Sequence, residues 1–225
     1  MNKIGLCFYR DWGLEIAEKL ELEFADLHIE FVSIKDNKDL ISFIENEKSP
    51  ANLFFIGWSE IIEKEFVDQH NCYCLHPSLL PKFKGGSPFQ NQMINGADKS
   101  GITIFKMDEY IDNGPIFYQA EFDIKNLELD DFIKLTTIYG FVGFKQLTEK
   151  IIYNNKITLN EQSGESSYFK RRTPSESEIT FDEIQSKLAI DLKNKVNSLK
   201  EPYPLAYISC KEGTKLYLKS VIAEE

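Results

Sequence analysis

The chain has 225 residues, of which 42% are hydrophobic and 28% charged, a balance that supports one globular domain with a small appendage. Its formal net charge of −10 disfavours a protein that grips many phosphates of a polynucleotide, so no nucleic-acid partner is expected. The longest apolar runs, such as 51–58, are too short to span a bilayer. No apolar leader with a cleavage site opens the sequence, so a cytoplasmic location and no membrane partner are expected.

Residues 3–9 read as a buried strand, and Leu14 to Leu20 carry apolar positions at helical spacing. A second strand is expected over His28 to Ile34. Leu40, Ile41, Phe43 and Ile44 mark a helix, and Asn52 to Gly57 form a short, continuously apolar strand. A helix is expected from Glu60 to about Val67, and Tyr73 to Leu75 begin a strand that ends at His76. This alternation predicts a parallel sheet covered by helices, and continuous apolar runs fit a sheet buried on both faces.

A Pro- and Gly-rich loop then leads to a short helix over Phe89 to Ile94. Two strands, Gly101 to Met107 and Pro115 to Ile124, flank a loop containing Asp112. A long amphipathic helix is expected from Leu129 to about Tyr153, and 156–178 are loop-rich. Apolar residues at 181, 184, 188, 192 and 196 predict one helix over Phe181 to Leu199. Residues 207–218 read as a hairpin with a Gly-containing turn. The expected organisation is an α/β, Rossmann-like domain over 1–178 with a helix and hairpin extension over 179–225.

Cys7, Cys72, Cys74 and Cys210 match no zinc-ligand spacing, so reduced, mostly buried cysteines and no metal are expected. Cys72 and Cys74 share one face of their strand.

His76 ends an apolar strand, which is where open α/β sheets place ligand sites. Asp112 lies in the turn sequence Asp112-Asn113-Gly114. Taken alone, the histidine reads as structural and the aspartate as a turn cap. Together they offer an imidazole that titrates near neutrality and a carboxylate to support it, the needs of proton-transfer catalysis.

The run Cys74-Leu75-His76-Pro77-Ser78-Leu79-Leu80-Pro81-Lys82-Phe83-Lys84-Gly85, followed by Gly101-Ile102-Thr103-Ile104-Phe105-Lys106-Met107-Asp108 and by Asp112-Asn113-Gly114, resembles the formyltransferases that use N10-formyltetrahydrofolate. The likeness runs over 52–125, with an echo through Tyr168 to Pro174 and Glu201 to Ala206. The resemblance implies that His76 carries the proton of an attacking amine and that Asp112 supports it. The family's third member is an asparagine that donates to the formyl oxygen, but here the position is Cys74. A thiol is a weak donor, so a backbone N–H, a water, Asn71 or Asn91 is expected to substitute, or else the chain is inactive.

The resemblance further implies a donor pocket from Trp58, Ser59, Glu60 and Ile62 on one wall and Met107, Asp108, Glu109 and Tyr110 on the other. No metal and no redox nucleotide are implied. Among acceptors, the segment Phe169-Lys170-Arg171-Arg172-Thr173-Pro174 and the short C-terminal part are most similar to sugar N-formyltransferases that serve surface-glycan synthesis. A nucleotide-linked amino sugar is therefore the expected partner, ahead of methionyl-tRNA or glycinamide ribonucleotide. Ser78, Lys82, Lys84, Gly85, Gly86, Ser87, Lys170, Arg171 and Arg172 are its expected contacts. A homodimer through the C-terminal hairpin is expected.

Overall fold

The computed structural model describes residues 2–46 and 51–224. A six-stranded sheet forms the centre: β1 (Asn2–Cys7), β2 (Ile29–Ile34), β3 (Asn52–Ile56), β4 (Asn71–His76), β6 (Lys99–Lys106) and β7 (Ile116–Asp123). Their order is β2-β1-β3-β4-β6-β7. The first four strands run parallel, β6 runs antiparallel to β4 with Thr103 opposite His76, and β7 runs antiparallel to β6. The expected mostly parallel, helix-covered α/β sheet is present.

Period-two burial divides the strands between two cores. Tyr73 and Leu75 of β4 join Ile4, Leu6, Phe54, Ile56, Ile102 and Ile104 on one face. There α1 (Asp11–Glu23) supplies Trp12, Ile16 and Leu20, and α5 (Leu129–Ile152) supplies Phe132, Phe144 and Leu147. Cys72 and Cys74 turn to the opposite face with Cys7, Leu53 and Phe55. That face is covered by α2 (Asn37–Glu45), capped by the Asp36 carboxylate on the Asp39 N–H, and by α3 (Lys64–Gln69). Gly140 lets α5 lie close on β4, because a Cβ there would stand 2.5 Å from Leu75 Cδ1. The close seat offsets the weak helix propensity of glycine.

Three local expectations change. Residues 57–63 form an open loop and α3 begins only at Lys64. Ile61, 82% exposed, has no core to face, so its apolar side chain did not signal a helix. The stripe from Phe181 to Leu199 breaks into α6 (Phe181–Ser186) and α7 (Ala189–Ser198), with Lys187 and Leu188 extended between them. Thr180 and Glu183 form a capping box that starts α6 independently. Phe181, Ile184 and Leu188 are exposed, and only Leu192 and Val196 of the stripe pack inward. Finally, the loop-rich region contains β8 (Tyr168–Phe169), which pairs parallel with β5 (Lys84–Gly85) beside the short helix α4 (Pro88–Ile94).

A third cluster joins Ile179, Val196, Leu199 and Ala206, with Ile208, Leu218 and Val221 packed on it. It lies between α7 and the antiparallel hairpin β9 (Ala206–Ser209) and β10 (Lys215–Leu218), and α7 rests on α4. The hairpin therefore buries Tyr207, 6% exposed, within its own chain, while Leu216 and Tyr217 remain outside.

Phe144 is fully buried and stacks on Phe54 with ring centroids 4.7 Å apart. Phe144→Ala is expected to cost about 3–5 kcal/mol of unfolding free energy, read as a lower urea midpoint. A loss under about 1 kcal/mol would mean the α5–sheet seam closes over the cavity.

Candidate active site

His76 sits at the carboxyl end of β4, on the Cys72–Cys74 side of the sheet, and is 6% exposed. Its Nδ1 lies 3.4 Å from Asp112 Oδ2. Its Nε2 lies 2.8 Å from the Phe83 carbonyl oxygen. A carbonyl only accepts, so Nε2 carries the hydrogen and donates it. Nδ1 is then the nitrogen left to take a proton, and a carboxylate waits beside it.

Asp112 reaches this place through a left-handed backbone, φ 51°. The same Oδ2 accepts the Gly85 N–H at 2.7 Å. Gln162 fixes the backbone beneath, donating from Nε2 to the Asp112 carbonyl at 3.0 Å and the Gly114 carbonyl at 2.9 Å. Two residues earlier, Asn160 and Ile116 exchange both backbone bonds.

The loop that carries Phe83 is strapped by the same segment. Phe83 N–H donates to Ser167 Oγ at 2.8 Å, Lys84 N–H to Ser167 O at 2.9 Å, and Gly86 N–H to Phe169 O at 2.8 Å. The Phe83 and Phe169 rings stack at 5.2 Å. Gly86 permits the contact: a Cβ there would lie 2.3 Å from Arg171 Cα.

Several residues expected on the acceptor side turn inward instead. Ser78 is fully buried, donating to the Lys82 carbonyl at 2.7 Å, while its own carbonyl accepts from Thr103 Oγ1. Lys84 is 9% exposed and its ammonium donates to Asn113 Oδ1 at 2.7 Å. It braces the Asp112 turn and does not face solvent. Ser87 Oγ accepts the Arg172 N–H at 3.1 Å, and the Arg172 guanidinium caps the Glu176 carbonyl at 2.5 Å. Lys82, Lys170 and Arg171 remain exposed, and Gly85 and Gly86 form the floor of the strap.

The two expected donor walls are also placed. Trp58 packs edge-on to Phe55 and Tyr9, and among the described residues its buried indole N–H has no hydrogen-bond partner. Ser59 Oγ accepts from the Tyr9 hydroxyl. Ile62 packs on the second core, and Glu60 is exposed. Opposite, Asp108 Oδ1 accepts the Tyr110 N–H at 2.9 Å, Glu109 meets Lys64 at 3.4 Å, and Tyr110 is exposed. Met107 N–H is bonded to the Cys72 carbonyl, lower on β4. Met107 and Asp108 thus line a cavity of about 490 Å³ with His70 and Asn71. That cavity lies at the other end of β4 and includes neither His76 nor Asp112.

Cys74 stands half-buried between Cys72 and His76. Burial, then the charge of Asp112 and then Cys72, push its thiol well above the usual range. The sulfur stays protonated, and the thiolate needed for nucleophilic attack is disfavoured. Neither asparagine weighed as a substitute donor is free: Asn71 Nδ2 bonds Asn52 Oδ1 at the far end of β4, and Asn91 Nδ2 donates to the Gly86 carbonyl at 2.8 Å.

The sequence reading missed Gln162, Ser167 and the Phe83 carbonyl. The first two lie far along the chain in a segment without periodicity, and the third is a backbone atom. Among the described residues, no group of His, Cys, Asp and Glu could hold a metal ion, and no helix is long and apolar enough to cross a membrane.

The family model described as formyl transferase matches residues 37–135. A methionyl-tRNA formyltransferase from Thermodesulfovibrio yellowstonii is 31% identical over 81% of this chain and 59% of its own length. Another from Borrelia turicatae is 30% identical over 76% of this chain and 54% of its own length, so the chain spans little more than half of these curated relatives. Among solved structures, methionyl-tRNA formyltransferase from Clostridium thermocellum covers all of both chains at 25% identity and TM-score 0.75. The fold is shared with an N-formyltransferase from Helicobacter canadensis, solved with folinic acid and dTDP-3-aminofucose, at 19% identity, TM-score 0.67, over 88% of this chain and 80% of that one. Family model, relatives and fold together make the chain similar to the formyl transferase family.

Proposed function

We propose that the chain moves a formyl group from N10-formyltetrahydrofolate to the amine of a nucleotide-linked amino sugar. The observation that carries formyl transfer is the buried His76–Asp112 contact, 3.4 Å, at the carboxyl end of β4. Exposed Lys170 and Arg171 beside the dyad loop suit a small phosphorylated acceptor. The net charge of −10 weighs against a large polyanion. Methionyl-tRNA is the second reading, favoured by the two curated relatives above.

The residues fit the donor. The orphaned Trp58 indole N–H and the loop 57–63, outside any ladder, offer hydrogen-bonding groups to a flat heteroaromatic ring. Trp58, Ser59, Glu60 and Ile62 would hold it from one side, and Glu109 and Tyr110 from the other, while Met107 and Asp108 line the cavity at the far end of β4. When bound, the donor supplies an electrophilic formyl carbon. His76, held in the Nε2–H form by Phe83, would take the amine proton at Nδ1 and return it to the donor nitrogen released when the formyl carbon changes partner. Asp112 then holds the new N–H at Oδ2 and stabilises the imidazolium. Its other bond, to the Gly85 N–H, keeps the carboxylate from swinging away.

The test is a single-turnover incubation with N10-formyltetrahydrofolate and, in parallel, nucleotide amino sugars, methionyl-tRNA and glycinamide ribonucleotide. Formylation of a nucleotide sugar alone is expected. Formylation of methionyl-tRNA alone replaces the acceptor, and no product with any amine leaves a folate- or nucleotide-binding protein. His76→Ala is expected to lower the rate by about 10²–10⁴ while the protein stays folded. Asp112→Asn should lower kcat more than it raises KM. Near-normal turnover of His76→Ala would sink the assignment.

Cys74 is read as a spectator. Cys74→Ala should keep most of the activity, and Cys74→Asn should gain less than tenfold. A larger gain would mean the site lacks a donor worth about 10²–10³ in rate. Iodoacetamide at pH 8 should label exposed Cys210 quickly and Cys7, Cys72 and Cys74 slowly, since burial raises the last three thiols. The raised values leave almost no thiolate at that pH. Fast labelling of Cys74 in the folded protein would contradict this.

We also propose a homodimer through the C-terminal elements. Phe181, Leu188, Leu216, Tyr217 and Ile222 are each more than half exposed there, and apolar patches of this kind mark interaction surfaces. Light scattering at micromolar concentration should give twice the chain mass. A monomer would show that these residues stay in solvent.

A further inference from the structure

We propose that Thr103 is a positioning residue that decides which nitrogen of His76 is free, an inference that deepens the proton-transfer reading above and rests on it. Thr103 lies opposite His76 in the β4–β6 ladder and opposite Gln119 in the β6–β7 ladder. Directly opposed residues share a face of the sheet, so the three form one row across it. The loop 77–83 leaves β4 at this row and doubles back onto β6. Gly101 makes the seat: a Cβ there would stand 2.5 Å from Leu79 Cδ2 and 2.1 Å from the Ala120 carbonyl oxygen. Gly101-Ile102-Thr103 and Pro77-Ser78-Leu79-Leu80-Pro81, separate runs in the sequence, thus meet as one contact.

The Thr103 side chain is the fastener of that contact. It is fully buried. Its hydroxyl donates to the Ser78 carbonyl at 2.7 Å and accepts the Leu80 N–H at 3.1 Å and a Gln119 Nε2–H at 2.9 Å. A hydroxyl has one donor and two acceptor positions, and all three are in use. Ser78 and Leu80 are buried as well, so valine at 103 deprives a buried carbonyl and a buried N–H of this partner. Two bonds carry the anchorage onward toward Phe83: Ser78 Oγ donates to the Lys82 carbonyl at 2.7 Å, and the Lys82 N–H to the Leu79 carbonyl at 3.0 Å. Ser166 and Ser167 hold the same loop at Pro81 and Phe83.

The His76 ring stands between two acceptors, the Phe83 carbonyl 2.8 Å from Nε2 and Asp112 Oδ2 3.4 Å from Nδ1. A neutral imidazole has one N–H and can serve only one of them. The nearer carbonyl takes it and leaves Nδ1 free as the base. If the loop slackens, the carboxylate, a charged and therefore stronger acceptor, draws the hydrogen to Nδ1. The nitrogen beside Asp112 then has no lone pair for a proton. Thr103 acts on the ring in this way, through the loop and the Phe83 carbonyl.

Ring-nitrogen NMR of ¹⁵N-labelled protein at about pH 9, where an ordinary imidazole is neutral, reads the tautomer without any substrate. Wild type should show His76 as Nε2–H. Thr103→Val should bring in the Nδ1–H form, and Thr103→Ser, which keeps the hydroxyl, should restore the wild-type spectrum. His70 is the internal control: its Nδ1 accepts the Ala51 N–H, and its signals should stay the same in every variant. Gln119→Met, at an exposed position, removes the bonds to Thr103 Oγ1 and the Leu80 carbonyl and should shift His76 in the same direction; it decides the matter if Thr103→Val does not fold. At saturating donor, Thr103→Val should lower kcat about tenfold or more with KM little changed, and Thr103→Ser should recover it. A purely Nε2–H ring in folded Thr103→Val overturns the proposal, whatever the turnover. So does a wild type whose His76 is Nδ1–H, or a loss of kcat that Thr103→Ser fails to restore. If wild type formylates no amine but the tautomer still moves in Thr103→Val, the positioning role stands and the enzymatic reading falls.

Discussion

One carboxylate oxygen organises the site. Asp112 Oδ2 is shared between His76 Nδ1 and the Gly85 N–H, so the strand end, the Pro/Gly loop and the turn after β6 all meet at one atom. The two partners come from different parts of the chain, so a shift of the Asp112 turn disturbs both. The imidazole is held from its far side as well, by the Phe83 carbonyl, which sets the tautomer. Orientation is thus divided: a backbone carbonyl decides which nitrogen is free, and the carboxylate acts on the ring once it gains charge.

Much of this was legible in the sequence. The strand–helix alternation, the long helix after Leu129 and the turn at Asp112-Asn113-Gly114 follow from apolar periodicity and turn chemistry. His76 and Asp112 were readable as strand-end and turn residues that chemistry could use together. What periodicity cannot carry is the tie between distant loops. β5 and β8 are two residues each, too short to show a pattern, and they pair 84 positions apart at Lys84 and Tyr168. Gln162 and Ser167 act through single side-chain bonds from an irregular segment. The opposite failure is seen at Phe181, Ile184 and Leu188, where a helical stripe is present but no core faces it.

The location of Cys74 explains why a thiol can stand in so polar a neighbourhood. Its strand places it toward the second core, and burial, then the charge of Asp112, push its thiol up. An ionised group there would face a carboxylate without compensation, which is costly in a buried site. A neutral, compact thiol carries no such penalty. The same argument bears on an asparagine: it would fit only if its amide found both a donor and an acceptor role, and the amides of Asn71 and Asn91 are already committed elsewhere.

Backbone strain gives the strap its purpose. Phe83, Ser87 and Asp112 all adopt φ near +50 to +57° without being glycine. Such residues cost on the order of 1 kcal/mol or more each and persist only where surrounding bonds over-determine them. Here the over-determination comes from 160–172: Ser167 on Phe83, the Arg172 N–H on Ser87, and Gln162 on Asp112. Each strained residue has its own bond from that one segment. The same segment carries Lys170 and Arg171 at its exposed side. The proposed acceptor contacts and the bonds that fix His76 and Asp112 therefore lie on a single stretch of chain.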